Sequence, residues 1–422
     1  MKNFAKKFLL VLFSAFLGLA ICEIGLRLFG FKYSGSTFTA DPLLGWSLRP
    51  GASAWEVDEG SARSIINSHG YRDRERVVSK PRDVYRVAAL GDSYTEARQV
   101  DMDKTFTSLA EEELNRRHCF GERRAEVLNF GIGGFGTAQE LLLLRERVWK
   151  FDPDMIVLQF YAGNDLFNNH RALNISTPDN APYFLLKNGK LELDESFRQG
   201  RAFDPGHIRM KGIGADIMNS FVLLQLVYKL NRVRAQQEEL ARLNGAGRRP
   251  DPNAPPPEYQ RYLSFLPPTI PSMVEAWQLT EALIAETGKE VKSHHASLLV
   301  VIMPTDIQIN PDPEKREAYR VKYHIESLEY ADDRVEQRAR ENGIPVLRLT
   351  KPLVEEARRS GTYMAGFANT APNDGHLNER GHVVVARELV RAVCEIASGR
   401  ATAAERRIDR TSPQNPGSAP AR

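Results

Sequence analysis

Five short apolar runs that alternate with stretches of helical periodicity are the feature that most constrains the fold of this chain. The runs lie at about 85–90, 125–130, 155–161, 298–303 and 345–349. Each is short and almost continuously apolar, which is typical of a strand buried on both faces. Strands that alternate with helices form a parallel sheet with right-handed crossovers. The sequence therefore predicts one large α/β domain, which we place at 85–400.

A long segment between about 166 and 270 interrupts this alternation. It begins with a loop-rich piece, continues with a predicted helix near 214–244, and ends at a proline-rich break over 250–257. Residues 198–249 contain ten Lys and Arg against four Asp and Glu. We expect an amphipathic helix packed on the domain. The alternative is a cap that shapes a substrate site or rests on anionic lipid. Further helices are predicted near 104–117, 137–150, 272–292, 316–341 and 381–396.

The first 31 residues have the composition of a membrane span. Three lysines within the first seven residues precede an uncharged run from Phe8 to Cys22, and the apolar pattern continues to Phe31 with only Glu23 and Arg27 interrupting it. Glu23 and Arg27 are four residues apart, so they share a helix face and can pair. The stretch is long enough to cross a bilayer, and the lysines place the N-terminus inside and the body outside.

Two other interpretations of this leader also export the body. Gly18-Leu19-Ala20 is a small-x-small site at which a signal peptide could be cleaved. Leu19 to Cys22 weakly resembles a lipoprotein box, although Ile21 is large for the position before the cysteine. We favour a retained anchor at 1–31 because the apolar pattern continues past the cleavage site.

The remaining composition limits the classes of function. A net charge of +3 is too balanced to indicate nucleic-acid binding. Three cysteines, one of them in the leader, allow at most one intramolecular bridge in the body. The chain has no Cys-x-x-Cys and no His-Glu-x-x-His motif, so we predict no metal. Residues 32–84 are polar with turn signals and predict an extended linking arm, and residues 401–422 predict a disordered tail.

Four polar or glycine-rich stretches follow the apolar runs or precede the last helix. They are Gly91-Asp92-Ser93, the loop from Asn129 to Gly136, Gly163-Asn164-Asp165 and Asp374-Gly375-His376. Open α/β sheets bind ligands at the carboxyl ends of their strands, so the first three should meet at one edge. A lone serine at a helix N-terminus is most often a cap. The presence of the other three stretches, each placed to reach the same edge of the sheet, favours a chemical role for Ser93.

The four stretches, in this order and spacing, resemble the four sequence blocks of the SGNH/GDSL hydrolase superfamily across about 85–397. The N-terminal anchor and the segment after it resemble a membrane-anchored bacterial branch of that family. The resemblance implies a flavodoxin-like three-layer α/β/α sandwich whose five parallel strands have the order 2-1-3-4-5. It also implies a single-pass protein of the bacterial inner membrane with an ester-handling domain on the periplasmic side.

The resemblance assigns a role to each matching residue. Ser93 corresponds to the nucleophile, His376 to the general base and Asp374 to the acid that orients the histidine. The backbone N–H groups of Ser93 and Gly134 and the side-chain amide of Asn164 correspond to the oxyanion hole. The chemistry is consistent with these roles, because a serine hydroxyl needs a base, a histidine needs a fixed tautomer, and a tetrahedral intermediate needs preorganised donors. No cofactor is implied.

The histidine motif departs from the commonest family pattern and leaves the reaction open. The usual spacing is Asp-x-x-His, whereas this chain has Asp-x-His with asparagine at position 373. That form resembles the branch that includes periplasmic polysaccharide O-acetylation proteins. We therefore expect an esterase that cleaves or transfers short acyl groups, such as acetyl, on a cell-envelope glycan or lipid. The alternatives are a polysaccharide O-acyltransferase and a non-catalytic glycan-binding protein on the same fold.

Two competing motifs were weighed against this interpretation. His382 could replace His376 as the base, but it falls inside the predicted last helix. The sequence from Gly131 to Gly136 matches the Gly-x-Gly-x-x-Gly dinucleotide fingerprint. It follows the second strand instead of the first, and no acidic residue closes the next strand at the required distance. The glycines are better explained by a loop whose backbone must approach a substrate closely.

Overall fold

The computed structural model describes residues 2–174, 177, 179–245 and 261–399. In chain order, the strands are β1 Phe38–Asp41, β2 Gly45–Leu48, β3 Ser53–Glu56, β4 Ala62–Ile65, β5 Val84–Gly91, β6 Arg124–Gly131, β7 Met155–Tyr161, β8 Tyr183–Lys187, β9 Lys190–Asp194, β10 Ser297–Met303 and β11 Val346–Arg348. The α-helices are α1 Lys2–Leu28, α2 Ser93–Glu96, α3 Phe106–Arg117, α4 Thr137–Glu146, α5 Asp165–Asn168, α6 Pro205–Ser220, α7 Val222–Gly245, α8 Pro271–Ser293, α9 Pro313–Tyr323, α10 Tyr330–Glu341, α11 Thr350–Ser360 and α12 Glu379–Ala397. The predicted proline-rich break and the predicted tail lie outside the described residues.

The central sheet has five parallel strands in the order β6-β5-β7-β10-β11. Counted along the domain, this is the order 2-1-3-4-5, so the predicted fold class is confirmed. All eight residues of β5 are buried, because helices cover both faces of the sheet. One face packs against α4, α8 and α10, and the other packs against α3, α11 and α12.

The helices differ from the sequence predictions at three places. The predicted helix at 214–244 is two helices, α6 and α7, bent by 108° where Phe221 takes an extended conformation. The predicted helix at 316–341 is also two, because α9 ends at His324 in the left-handed conformation. No helix is predicted between 349 and 381, yet α11 forms there, because its Leu353 and Ala357 are buried in the core.

The segment 32–84 is part of the folded domain, so its prediction as an extended linking arm was wrong. It forms two antiparallel hairpins, β1–β2 and β3–β4. Leu44 and Leu48 are fully buried in the same core as the central sheet. The buried Arg72 donates hydrogen bonds to the backbone oxygens of Glu96, Ala97 and Val100, just after Ser93 in the sequence. Apolar residues of segment 32–84 therefore belong to the hydrophobic core, and Arg72 holds the loop that follows α2.

The N-terminal helix α1 is long and apolar enough to cross a membrane. An 18-residue window within Phe4–Leu28 has a mean hydropathy of 2.4, and none of that window is buried by the rest of the chain. Glu23 and Arg27 form the predicted ion pair, with 2.7 Å between Arg27 Nε and Glu23 Oε1.

A disulfide between Cys119 and Cys394 joins the end of α3 to the end of α12. It closes a loop across 275 residues, so its removal frees the unfolded chain considerably. We expect the double substitution Cys119→Ser and Cys394→Ser to lower the free energy of unfolding of the domain by about 2–4 kcal/mol. Denaturant titration followed by fluorescence would measure this loss, with Cys22→Ser as the matched control. Equal midpoints for the double variant and the control would contradict the expectation.

Candidate active site

Ser93 lies at the carboxyl edge of the central sheet, directly after the middle strand β5. Asp92 caps the short helix α2, and its carboxylate accepts the backbone N–H of Tyr94 at 2.8 Å. This cap turns the chain sharply at Gly91, so that Ser93 is partly exposed while its neighbours are buried. The position is the one at which open α/β sheets present residues to ligands.

The structure brings His376 to Ser93 across 283 residues of sequence. The distance between His376 Nε2 and Ser93 Oγ is 2.7 Å. The imidazole is packed against the ring of Tyr94, with 5.0 Å between the ring centroids. Asn378 caps α12 just after the histidine by accepting the N–H groups of Arg380 and Gly381. A hydroxyl and an imidazole at this distance have the geometry of a nucleophile and its base.

The carboxylate beside His376 belongs to Glu59 and not to Asp374. Glu59 Oε2 lies 2.6 Å from His376 Nδ1, and Glu59 Oε1 accepts the backbone N–H of the same histidine. The side chain of Asp374 is exposed, and its charge acts on Asp306 and Arg261. The structure therefore puts a residue of the N-terminal hairpins where the sequence predicted Asp374.

The loop that carries Glu59 is fixed by several contacts. The side chain of Asn369 donates to the backbone oxygens of Val57 and Gly60 and accepts the N–H of Gly60. Gly375 has a φ of +86°, and a Cβ atom there would lie 2.2 Å from Glu59 Oε1. Only glycine at 375 leaves room for the Glu59 carboxylate, which is consequently held against the histidine before any substrate binds.

The environment of Glu59 keeps its carboxylate ionised. Burial alone would raise the pKa of Glu59, but the hydrogen bonds and the charge of His376 outweigh it and lower the pKa. Gln99 adds a further hydrogen bond that acts in the same direction. An ionised acceptor at Nδ1 fixes the proton on that nitrogen and leaves Nε2 free to accept from Ser93.

The predicted oxyanion residues Gly134 and Asn164 lie on segments that pass Ser93 or its neighbour Asp92. A Cβ atom built on Gly133 would be 3.7 Å from Ser93 Cβ, so the glycine loop runs directly past the serine. Gly134 has a φ of +81°, and its carbonyl accepts from the side chain of Asn168 at 3.0 Å. Asn164 Nδ2 donates to Asp92 Oδ2 at 2.7 Å. That bond uses one of its two N–H groups, and the other remains for a ligand.

Three buried carboxyl groups lie beneath this arrangement. Asp92, Glu140 and Asp165 are all inaccessible to solvent. Burial, together with the neighbouring acids, raises the pKa of Glu140 and Asp165 well above the usual range. Among the described residues, neither carboxyl oxygen of Glu140 has a hydrogen-bond partner. The cluster therefore favours protonated acids directly below the nucleophile.

His382, the alternative base, is a buried structural residue. It lies in α12, and its Nδ1 accepts the backbone N–H of Phe106 at 3.2 Å. Burial lowers the pKa of His382 to about 3, so the ring is neutral at ordinary pH. It therefore serves as a cap for the first turn of α3 and is not in contact with Ser93.

Within the described residues, no group of three or more His, Cys, Asp and Glu side chains is arranged to hold a metal ion. A cavity of about 770 Å³ lies next to Gly60, and its lining does not include Glu59, Ser93 or His376. Its lining includes Gln99, Tyr363, Phe367 and Arg380. Aromatic faces mixed with amide and charged groups are the usual lining of a small-molecule site of this size.

No protein-family model and no curated protein matches the sequence. Solved structures do match its fold. An alpha/beta hydrolase enzyme from the metagenome of Lake Arreo, Spain, is 12% identical with a TM-score of 0.36, over 75% of this chain and 95% of that one. The acetyl xylan esterase AlAXEase is also 12% identical with a TM-score of 0.36, over 73% and 99%. A catalytic mutant of an acetylxylan esterase from Geobacillus stearothermophilus is 12% identical with a TM-score of 0.36, over 73% of this chain and 93% of that one. At this TM-score the likeness carries no argument, so the fold rests on the observed sheet order and the chemistry of the site on its own geometry.

The buried Glu140 generates a prediction about stability. Its folded pKa lies above its unfolded value, so the folded state keeps a proton that the unfolded state releases as the pH rises above about 4.3. Stability should consequently fall with rising pH above that value. We expect Glu140→Gln to be more stable than the wild type at pH 8 by roughly 1–3 kcal/mol, with the difference vanishing toward pH 4.

Thermal or denaturant unfolding across this pH range would measure the effect. Glu112→Gln is the matched control, because Glu112 is an exposed glutamate on α3. A Glu140→Gln variant that loses stability at pH 8 would show that the native state needs the carboxyl group itself.

Proposed function

We propose that the chain is a serine esterase of the SGNH/GDSL type that uses Ser93, His376 and Glu59. The observation that carries this proposal is the continuous pair of short contacts, 2.7 Å from Ser93 Oγ to His376 Nε2 and 2.6 Å from His376 Nδ1 to Glu59 Oε2. A structural serine cap does not need a histidine that is itself oriented by a carboxylate. In this proposal Asp374 has no part in orienting the histidine.

The reaction follows from the geometry. His376 Nε2 takes the hydroxyl proton of Ser93 as Oγ attacks the ester carbonyl, and Glu59 stabilises the imidazolium that forms. The backbone N–H groups of Ser93 and Gly134 and the free amide N–H of Asn164 donate to the oxyanion. The imidazolium protonates the leaving alcohol, and an acyl-enzyme remains. Water activated by His376 then releases the acid, or a sugar hydroxyl takes the acyl group.

We infer that the substrate is a short acyl ester, such as an acetyl group, on a glycan of the cell envelope. The cavity next to Gly60 does not include Ser93 or His376, so this substrate class is supported by the resemblance of the Asp-x-His form to polysaccharide O-acetylation proteins. The helix α1 supports a location at the membrane, with the domain on the periplasmic side. A lipid ester is the second substrate class, and transfer to a sugar hydroxyl differs from hydrolysis only in the acceptor.

Ser93→Ala tests the nucleophile. We expect the variant to lose covalent labelling by a fluorophosphonate probe and to lose turnover of 4-nitrophenyl acetate by about 10⁴-fold or more. The ratio of acetate to octanoate turnover in the wild type separates short-acyl from lipid chemistry, and added sugar acceptors reveal transfer. If folded wild-type protein neither labels nor turns over, the non-catalytic glycan-binding alternative replaces the esterase.

Glu59→Gln tests the orienting acid, with Asp374→Asn as the matched control. Glutamine keeps the shape but offers the histidine no charge and allows the wrong tautomer. We expect kcat to fall by about 10²–10⁴-fold in Glu59→Gln, with KM little changed, and Glu59→Asp to recover part of the loss. Asp374→Asn should retain wild-type turnover and probe labelling. If Asp374→Asn lost activity while Glu59→Gln kept full activity, Asp374 would be the residue that orients His376.

A further inference from the structure

The helix α6 contacts the domain through polar groups and leaves several of its apolar side chains exposed. The partly buried Asn219 donates to the backbone oxygen of Ser36 at 2.8 Å, and the exposed Asp216 pairs with the buried Arg49 at 2.6 Å. Met210, Ile213 and Ile217 are exposed, Ile217 by 50%. A surface helix in water places its apolar stripe on the core instead.

The first turns of α7 continue the same surface. Gln225 is buried against the domain, whereas the apolar residues around it are exposed. We call the whole surface the apolar ledge; its exposed members are Met210, Ile213, Ile217, Phe221, Leu224, Val227, Tyr228 and Leu230. A contiguous apolar surface of this kind marks an interaction site with a protein or a membrane.

The ledge is fixed to the end of α1. The Glu23 carboxylate accepts the backbone N–H groups of Val222 and Leu223, which are the first two of α7. Arg27 bonds both Glu23 and the backbone oxygen of Ser220. The uncharged run of α1 from Phe8 to Cys22 rises about 21 Å, and Glu23 is the first charged residue at its outer end. The junction of α6 and α7, which Glu23 and Arg27 hold, therefore lies toward the outer boundary of the hydrocarbon.

Basic side chains accompany this apolar surface. Arg209 and Lys211 on α6 are exposed. Lys229 and Arg232 on α7 lie 3.6 Å and 3.9 Å from the carboxylate of Asp58. An apolar face with flanking cations is the composition of a helix that lies in the plane of an anionic membrane interface.

We propose that the apolar ledge is inserted in the lipid leaflet on the domain's side of the membrane that holds α1, at the boundary between head groups and acyl chains. The occupant is lipid and not a second copy of the chain, because the ledge is continuous with a helix that itself lies in lipid. This placement does not depend on the proposed esterase activity. Since Asp58 contacts α7 and immediately precedes Glu59, the ledge also fixes the orientation of the active site toward the membrane surface.

Depth-dependent fluorescence quenching tests the placement in the full chain. In a Cys22→Ser background, the variants Ile217→Cys and Leu224→Cys are labelled with an environment-sensitive dye and reconstituted in phosphatidylethanolamine and phosphatidylglycerol vesicles. Val383→Cys is the matched control, because Val383 is an exposed apolar residue on α12, on the body of the domain. We expect lipids that carry a quencher near the head group to quench the dyes at 217 and 224 and to leave the dye at 383 unaffected.

Each other outcome overturns the proposal. Equal quenching at 217, 224 and 383 would place the ledge in water. Stronger quenching by a quencher deep in the acyl chains would make the bent helix pair a re-entrant element. An apolar dye environment that ignores lipid quenchers and disappears as protein is diluted in lipid would assign the ledge to a second copy. Far-ultraviolet circular dichroism and a cooperative thermal unfolding transition, both matching the parent protein, verify that each variant is folded.

Discussion

His376 depends on a carboxylate that lies 317 residues earlier in the chain, and the construction of the site follows from that contact. Glu59 reaches the histidine only because the two N-terminal hairpins pack on the central sheet and bury Leu44 and Leu48 in its core. The hairpins also supply Arg72, whose guanidinium holds the backbone after α2 through three carbonyl oxygens. The segment between α1 and the sheet consequently supplies the carboxylate beside His376, and in structural terms the domain begins well before β5.

The same segment connects the candidate site to α1 through a series of charged contacts. Glu23 holds the start of α7, Lys229 of α7 faces Asp58, and Asp58 precedes the residue that orients His376. Each contact alone is weak when it is exposed to solvent. Together they join elements that are already packed, so they fix orientation more than they add stability.

The sequence could predict the sheet, its order and the pairing of Ser93 with His376, because those features have local or family-wide signals. Strands buried on both faces read as continuous apolar runs, and the predicted bounds of β7 agree with the observed ones. Glu59 had no such signal. Its neighbours are polar and turn-rich, and Asp374 offered a carboxylate close to the histidine in sequence. The helix predicted at 214–244 failed for a related reason, since the bend at Phe221 is set by the cap that Glu23 supplies from a distant helix.

In the structure, the tripeptide Asp374-Gly375-His376 has a different role from the one that the sequence predicted. Its aspartate is exposed, and the residue at the usual acid position, Asn373, donates its amide to the backbone oxygen of Asp306. The glycine is the informative residue, because its positive φ turns both the ring and the backbone N–H of His376 toward the Glu59 carboxylate and its missing Cβ leaves the space that the carboxylate fills. In this chain the motif beside the histidine supplies room for an acid instead of supplying the acid. A site of this design can take its carboxylate from another part of the fold while the serine, the histidine and the oxyanion donors keep their places on the sheet.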